Sequence, residues 1–363
     1  MSGIFDYLDW RGDIPLSVSG FNEMDSLILA RLAYIPFDGI VSADFSEKIT
    51  LLDAAERFFV TDEAIKKADR NADLILLKKA YAGNRFSQLT LCGYVNEWDE
   101  DAEKQFSALT IGLPGEMSYV SYRGTDNSIV GWKEDFNMSF KCPVPSQESA
   151  VSYLNRAAGS LTSDFIVGGH SKGGNLAVFA SSFCDSDFKS RILAVYNFDG
   201  PGFDAKVIEQ DSYKEICGKV LTFVPQSSVI GMLLEHEEPY TVVKSRGKNG
   251  LIQHNIYSWV VTPTGFVRLD NIDNQSTFIN HTLKDWVCKM TPEEREAFVD
   301  TSYKVICKTG VQTVSDIGGS SLKRIMILLS SLKDMDDESK NVISGAVELL
   351  LESAKNSFKK VFL

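Results

Sequence analysis

The chain has 363 residues, which is enough to bury a large core as one big domain or as a domain with an appendage. Hydrophobic residues make up 44% and charged residues 24% of the sequence, and these ordinary globular values exclude wholesale disorder. The net charge of −12 argues against nucleic-acid binding, which requires a basic face, and it disfavours adsorption to anionic lipid headgroups.

The start of the chain and its cysteines predict a cytoplasmic protein. The first residues, Met1–Tyr7, lack a basic segment followed by an apolar stretch, so no secretory signal is predicted. No apolar run approaches the roughly 18 residues of a transmembrane helix, and we expect no stable membrane insertion. The six cysteines are scattered without C-x-x-C spacing, which indicates reduced thiols in a cytoplasmic protein of bacterial type.

The first part of the chain, residues 1–85, carries no clear strand pattern. Apolar residues near helical spacing predict helices over Phe21–Tyr34 and Leu51–Phe59, which we interpret as a helical N-terminal cap region.

Strands then alternate with helices through residues 86–272, which is typical of a mainly parallel sheet with helices on both faces. The predicted strands are Leu89–Val95, Phe106–Ile111, Ser118–Ser121, Phe165–Val167, Ile192–Asn197, Val220–Val224, Tyr240–Lys244, Tyr257–Val261 and Phe266–Leu269. The predicted helices between them are Gln147–Leu161, Asn175–Phe183 and Ala205–Cys217.

The last part, residues 273–363, is predicted to be helical from Gln275 onward. Thr291, followed by Pro292 and two glutamates, is typical of a helix start. The final helix has one apolar face, which we expect to pack on the body of the protein or on a second copy of the chain rather than on a membrane. This face contains Ile343, Ala346, Val347, Leu350, Ala354 and Phe358.

The heptapeptide Gly168–Gly174, with the sequence G-G-H-S-K-G-G, carries the clearest chemical signal. An apolar strand precedes it and a helix follows it, so G-x-S-x-G stands in the strand–turn–helix context of a nucleophile elbow. Such a turn exposes the serine hydroxyl above a sheet, and its glycines permit close backbone approach. The first N–H groups of the helix then face the place where an oxyanion would form. The motif predicts a serine hydrolase with Ser171 as its nucleophile.

Two upstream segments extend this motif. Ser121–Asp126 reads S-Y-R-G-T-D, and Gly131–Phe136 reads G-W-K-E-D-F. The order Y-R-G-T-D, W-x-x-D-F and G-H-S-K-G-G resembles that of class 3 lipases, which carry F-R-G-T, D-W-x-x-D and G-H-S-x-G-G. The whole chain resembles a bacterial branch of that superfamily, and the specific motifs cover about residues 119–260.

The resemblance implies an α/β-hydrolase fold with a mainly parallel central sheet, a helical N-terminal cap and a helical C-terminal extension. It also implies that Thr125 supplies one donor of the oxyanion hole and that Lys172 supplies the other through its backbone N–H. For Arg123 and Asp135 we predict a buried salt bridge that holds the loop, because guanidinium–carboxylate pairs commonly fix loops.

The general base must be one of four histidines. His170 precedes the serine and should pack within the elbow, and His281 lies on a helix-like run, where packing or exposure is expected. His254 is the first candidate because α/β-hydrolases carry a histidine on a loop after the late core strands. His236, which is embedded among carboxylates, is the second candidate.

The acid departs from the family pattern. Class 3 lipases place an aspartate after the strand equivalent to Val220–Val224, but here the following loop contains serines and no carboxylate. Asp199 follows the preceding strand and resembles the acid of animal pancreatic-type lipases, so we predict that it orients the histidine. The alternative is a turn or helix-cap role for Asp199 in its D-G-P-G turn, with Ser228 or water orienting the histidine instead.

Together these residues predict a serine esterase or lipase-like hydrolase of carboxylic esters or thioesters, acting on a small-molecule acyl ester. No redox or metal cofactor is expected, since neither H-E-x-x-H nor a Cys/His cluster occurs. The glycine-rich segment is not a phosphate-binding loop, because the G-K-[ST] ending is missing. The alternatives are a non-catalytic binding or scaffold protein on a degenerate hydrolase fold and a peptidase or amidase. The C-terminal helices are candidates for a homodimer contact.

Overall fold

The computed structural model describes residues 1–68, 70–126, 128–308 and 336–362, and strands and helices alternate through its central part. The strands are β1 Ile49–Thr50, β2 Thr90–Asp99, β3 Lys104–Leu113, β4 Met117–Tyr122, β5 Asp164–His170, β6 Ile192–Phe198, β7 Val220–Pro225, β8 Tyr240–Val243, β9 Val261–Thr262, β10 Gly265–Phe266 and β11 Arg268–Leu269.

The helices lie before, between and after these strands. They are α1 Ile4–Arg11, α2 Glu23–Leu32, α3 Leu51–Phe59, α4 Asp62–Lys67, α5 Asn71–Ala82, α6 Ile129–Asn137, α7 Pro145–Ser160, α8 Lys172–Phe183, α9 Ser186–Lys189, α10 Ala205–Ile208, α11 Asp211–Cys217, α12 Gly250–Gln253, α13 Asn274–Lys289, α14 Pro292–Lys308 and α15 Asp337–Phe362.

One large mixed sheet organises the fold. Within the described ranges it has nine strands in the order β1-β2-β3-β4-β5-β6-β7-β8-β11. Strands β4 to β8 run parallel, because each connection between them crosses over and returns to the same end of the sheet. The first strands and β11 are antiparallel to their neighbours, and short turns join β2 to β3 and β3 to β4. The predicted α/β fold with parallel central strands is confirmed.

Side chains of the central strands alternate between two apolar clusters. Tyr119 and Ile166 belong to the cluster that contains the N-terminal helices, whereas Val120 and Val167 belong to the cluster that contains α7 and α8. This alternation follows from the two-residue period of a strand. The sheet is therefore covered on both faces, and its strand ends are left to carry polar loops.

The last three described helices pack against one another and against α6. The Trp286 indole of α13 donates to the Ala346 carbonyl of α15, at 2.8 Å. The Arg295 guanidinium of α14 donates to the Ser139 carbonyl just beyond α6. The start of α14 has the predicted form, since Thr291 Oγ1 accepts from the Glu294 N–H at 3.2 Å. The predicted helices within 309–335 lie outside the described residues.

Some predicted elements are wrong in detail. The single helix over 205–217 is two short helices, α10 and α11. The strand predicted over 257–261 is instead a 3₁₀ turn over Ile256–Ser258, followed by the short β9. The Asn255 side chain accepts from the Tyr257 N–H and the Trp259 indole donates to the Gln253 carbonyl, so both contacts favour a turn. The strand predicted over 266–269 is divided between β10 and β11, which belong to different sheets.

Among the helices within the described ranges, none combines the length and the apolar character that crossing a membrane requires.

Candidate active site

The turn between β5 and α8 holds Ser171 in a strained backbone conformation, with φ +60° and ψ −134°. Glycines make this sharp turn possible. A Cβ at Gly169 would collide with the backbone of Gly173, and a Cβ at Gly173 would collide with the carbonyl oxygen of Tyr122. The turn therefore presses the elbow against the end of β4 and leaves the Ser171 hydroxyl at the edge of the sheet.

Three side chains from distant parts of the chain meet at this edge. The Ser171 hydroxyl donates to His254 Nε2 at 2.9 Å, and His254 Nδ1–H donates to Asp199 Oδ2 at 2.7 Å. A carboxylate can only accept, so the proton of a neutral His254 ring resides on Nδ1 and the Nε2 lone pair faces the serine. Asp199 is fully buried, while 19% of the His254 side chain is exposed. This arrangement allows the serine proton to pass to an oriented imidazole.

Asp199 directly follows β6 and is fixed from two sides. Its φ is +52°, and its N–H donates to the Phe223 carbonyl of the neighbouring strand β7 at 2.8 Å. The Ser228 hydroxyl donates to Asp199 Oδ1 at 2.5 Å, so each carboxylate oxygen has its own donor. Ser228, considered above as a replacement for the acid, therefore contacts the carboxylate itself.

His254 caps the C-terminus of the short helix α12, and the loop after β7 holds this helix in place. The Ser227 N–H donates to Gln253 Oε1 at 2.9 Å, and Gln253 Nε2 donates back to Ser227 Oγ at 2.9 Å. Ser227 also donates to Asp273 at the start of α13. Ser227 and Ser228 stand where class 3 lipases have an aspartate. Ser227 holds the turn that carries His254, and Ser228 holds the Asp199 carboxylate. Sequence reasoning did not predict the role of Gln253, because only packing brings it to this loop.

The two predicted oxyanion residues lie on either side of the elbow. Lys172 is the first residue of α8, where backbone N–H groups have no partner within the helix. Thr125 follows Gly124, where a Cβ would lie 3.1 Å from Ser171 Cβ and would collide with the His170 carbonyl oxygen. The loop that carries Thr125 is therefore packed directly against the serine. Its side-chain hydroxyl donates to both oxygens of Asp135, at 2.7 and 2.6 Å.

The predicted salt bridge between Arg123 and Asp135 is wrong. Arg123 Nη2 instead lies 3.6 Å from Asp126 Oδ2 within the same loop, and Asp135 accepts from Thr125. The Thr125 hydroxyl occupies the Asp135 carboxylate of α6, and the Arg123 guanidinium pairs with Asp126 of its own loop. Burial raises the pKa of Asp135 to about 6, although the Lys172 charge and the Thr125 hydrogen bond lower it.

Three consecutive side chains of α6 bind four different parts of the protein. Lys133 pairs with Asp300 of α14 at 2.8 Å and with Glu103 of the β2–β3 turn. Glu134 forms a fully buried ion pair with Lys172 Nζ at 2.8 Å, while Asp135 binds the oxyanion loop through Thr125.

Further hydrogen bonds complete the ion pair between Glu134 and Lys172. Glu134 accepts from the backbone N–H groups of Gln105 and Ser146, at 3.1 and 2.8 Å. Lys172 also donates to the Gln105 carbonyl at 2.8 Å. A buried charge needs such partners, since an unpaired one is strongly destabilising. The Lys172 side chain is thus committed to a buried network with Glu134 and Gln105.

The other three histidines have different partners. His170 is buried in the elbow, as predicted, and its Nε2 donates to the His254 carbonyl at 2.8 Å. His236 pairs with Glu238, with 3.1 Å between Nδ1 and Oε1. Burial alone would raise the pKa of Glu238, but the hydrogen bond and charge of His236 lower it to about 2. His281 lies on α13 and is partly exposed.

Within the described ranges, no group of three or more histidine, cysteine, aspartate or glutamate side chains is arranged to hold a metal ion.

A strained serine between a parallel strand and a helix, on a sheet of this order, defines an α/β-hydrolase fold. Residues 80–304 match the Mbeg1-like family, and the chain belongs to that family. No curated protein matches it.

Solved structures of lipases are similar to this chain at low identity. Lipase II from Rhizopus niveus has 13% identity and a TM-score of 0.39, over 75% of this chain and 89% of that chain. The native Rhizomucor miehei lipase propeptide complex has 17% identity and a TM-score of 0.33, over 43% of this chain. The match spans 57% of that fungal chain, little more than half of its length. M37 lipase has 14% identity and a TM-score of 0.36, over 59% of this chain and 70% of that chain.

Proposed function

We propose that this protein is a serine hydrolase that cleaves carboxylic esters or thioesters of acyl groups through an acyl-enzyme on Ser171. The observation that carries the proposal is the continuous hydrogen-bonded chain from Ser171 Oγ through the His254 ring to Asp199. Its distances lie within the range required for proton transfer to a general base.

In the proposed reaction, Ser171 Oγ attacks the substrate carbonyl carbon while its proton passes to His254 Nε2. The carbonyl oxygen takes the negative charge, and the N–H groups of Thr125 and Lys172 donate to it. When the tetrahedral intermediate collapses, the bond to the alcohol or thiol breaks, and the leaving group takes the proton from His254. Water then attacks the acyl-enzyme by the same route, which releases the acid and restores Ser171. Asp199 orients the ring and stabilises its positive charge.

A fluorophosphonate probe tests this proposal, because it reacts only with an activated serine. We expect it to label Ser171, as located by peptide mass mapping, and we expect the protein to hydrolyse short-chain p-nitrophenyl esters. Ser171→Ala should abolish both reactions and keep the thermal unfolding midpoint, since among the described residues the Ser171 hydroxyl is hydrogen-bonded to His254 alone. An unlabelled wild-type protein would favour the alternative of a binding or scaffold protein on a hydrolase fold. Faster cleavage of p-nitroanilides than of the matching esters would favour a peptidase or amidase.

A further inference from the structure

The Tyr34 hydroxyl joins two loops of the candidate active site from outside the matched family region. Tyr34 follows α2 in the N-terminal part of the chain and is buried, with 6% of its surface exposed. Its oxygen accepts from the Gly124 N–H, one residue before Thr125, at 3.0 Å. The same hydroxyl lies 3.1 Å from the His170 carbonyl oxygen, to which it donates. A single hydroxyl group therefore connects the oxyanion loop to the elbow.

His170 continues this connection to the histidine turn. Its Nε2–H donates to the His254 carbonyl oxygen at 2.8 Å, and the two rings lie 4.7 Å apart at an angle of 31°. Its Nδ1 lies 3.3 Å from the Tyr34 hydroxyl. Burial, together with the charges of His254 and Arg31, holds the pKa of His170 well below its usual value. The ring is therefore neutral, with its proton on the nitrogen that faces the carbonyl.

Tyr34 is itself held by a buried ion pair. The Arg31 guanidinium lies over its ring, 3.4 Å from the ring centroid. Arg31 donates to both oxygens of Asp73, at distances of 2.6 to 3.0 Å, and the two charged side chains are almost completely buried. Asp73 also accepts from the hydroxyl of Tyr257, three residues beyond His254. The N-terminal region thus contacts the segments on both sides of Ser171.

We propose that Tyr34 and His170 are positioning residues that set the oxyanion loop and the His254 turn at fixed places relative to Ser171. By this proposal, which rests on the proposed hydrolase function, the region before residue 80 is part of the framework of the site. Both act through hydrogen bonds to the backbone of the site. Tyr34 sets the loop through one N–H group, and His170 sets the turn through one carbonyl group.

The test compares Tyr34→Phe with Tyr119→Phe as a matched control. Tyr119 is also fully buried and also joins the N-terminal region to the sheet, since its hydroxyl donates to the Ser26 carbonyl at 3.0 Å. Both variants lose one buried hydroxyl, but only the first contacts the site loops. Misplacement of a catalytic group by an ångström costs up to about a hundredfold in rate, so we expect kcat for p-nitrophenyl butyrate to fall about ten- to a hundredfold in Tyr34→Phe. KM should stay within about twofold, because the loss affects the oxyanion rather than substrate binding.

The control should lower the unfolding midpoint while kcat stays within about twofold of wild type. Equal kcat in Tyr34→Phe and wild type, or an equal loss of kcat in both variants, would overturn the positioning role. If Tyr34→Phe does not fold, His170 decides the outcome. His170→Gln keeps an N–H donor where Nε2 lies and should retain most of kcat, whereas His170→Leu should lose it. Equal rates in these two variants would overturn the proposal.

Labelling by the fluorophosphonate separates this proposal from the proposed function. If wild-type Ser171 is labelled and Tyr34→Phe is labelled at the same rate, the hydrolase function stands and the positioning role fails. If wild-type protein is not labelled, both proposals fail together.

Discussion

Two histidine–carboxylate pairs lie in the part of the chain that the structure describes, and they have different surroundings. His254 contacts Asp199 through Nδ1 and the Ser171 hydroxyl through Nε2. His236 contacts Glu238 through Nδ1, but within the described residues its buried Nε2 has no hydrogen-bond partner. The second carboxylate is occupied by Tyr213 and Thr222, whose hydroxyl groups donate to it at 2.7 and 2.9 Å.

Under the proposed function, an imidazole next to a carboxylate is not sufficient for catalysis. The ring must also present its second nitrogen to a nucleophile. His254 does so because the ends of β5 and β6 and the turn after β8 lie at the same edge of the sheet, next to Ser171. At the second pair, the Glu238 carboxylate instead accepts from Tyr213 and Thr222 and pairs with His236. The following predictions test this division of roles.

The largest difference is expected between the two histidines. His254→Ala should lower kcat/KM for p-nitrophenyl butyrate by about 10⁵- to 10⁶-fold, since removing the base disables the whole catalytic unit. His236→Ala should leave kcat/KM within about threefold, because its ring contacts Glu238 and not Ser171. Steady-state kinetics on both purified variants measures the difference. A dominant loss in His236→Ala would show that His236, and not His254, is the base.

The two carboxylates should differ in the same sense. Asp199→Asn should lower kcat about 10⁴-fold with little change in KM, because an amide cannot hold the ring in the required tautomer. Glu238→Gln should leave kcat nearly unchanged. If Asp199 only shapes its turn, asparagine should serve as well, and a near wild-type rate would establish that alternative.

A smaller effect is expected one contact farther out. Ser228→Ala removes one of the two donors to the Asp199 carboxylate, and hydrogen bonds to charged groups are worth about 1.5 to 3 kcal/mol. We expect kcat to fall about tenfold. Thr222→Ala removes the corresponding donor to Glu238 and is the matched control, for which kcat should stay at the wild-type level. Indistinguishable kcat values for Ser228→Ala and wild type would show that the His254 contact alone holds the carboxylate.

The last prediction concerns stability and pH at the second pair. His236 lowers the pKa of Glu238 in the folded protein from 4.5 to about 2, even though burial raises it. A carboxyl group whose pKa is lowered in the folded protein stabilises the fold at pH values above its unfolded-state pKa. This contribution is lost as the pH falls through the folded-state pKa. The loss should amount to about 3 kcal/mol between about pH 4.5 and pH 2.

Urea unfolding at several pH values in this window measures that contribution. Glu238→Gln should show a weaker decrease in unfolding free energy on acidification than wild type, and parallel pH curves would contradict the prediction.

Local sequence signals predicted the fold and the elbow well. Gly169, Ser171 and Gly173 stand between an apolar strand and a helix, so the turn can be recognised from residues close together in sequence, although Gly173 also approaches the Tyr122 carbonyl oxygen. The order of strands and helices then fixes which strand ends meet, so Asp199 and His254 could be named as candidates. Their contacts with each other depend on side chains that lie 55 residues apart.

The supporting contacts could not be predicted from spacing. Tyr34 meets Gly124 across 90 residues, and Lys172 meets Glu134 across 38, so both depend on how whole helices pack on the sheet. The wrong pairing of Arg123 with Asp135 has the same origin. Opposite charge suggested Asp135 as the partner of Arg123. In the structure Asp135 accepts from the Thr125 hydroxyl, and Arg123 lies next to Asp126.

Helix α6 also limits how this gene segment can change over evolution. Lys133, Glu134 and Asp135 bind α14, the elbow helix and the oxyanion loop, respectively. Successive helical residues point about 100° apart, so inserting or deleting one residue before them would turn all three away from their partners at once. A single substitution would remove the contacts of one side chain only. We therefore expect homologous genes to differ by amino-acid substitutions in this segment far more often than by insertions or deletions.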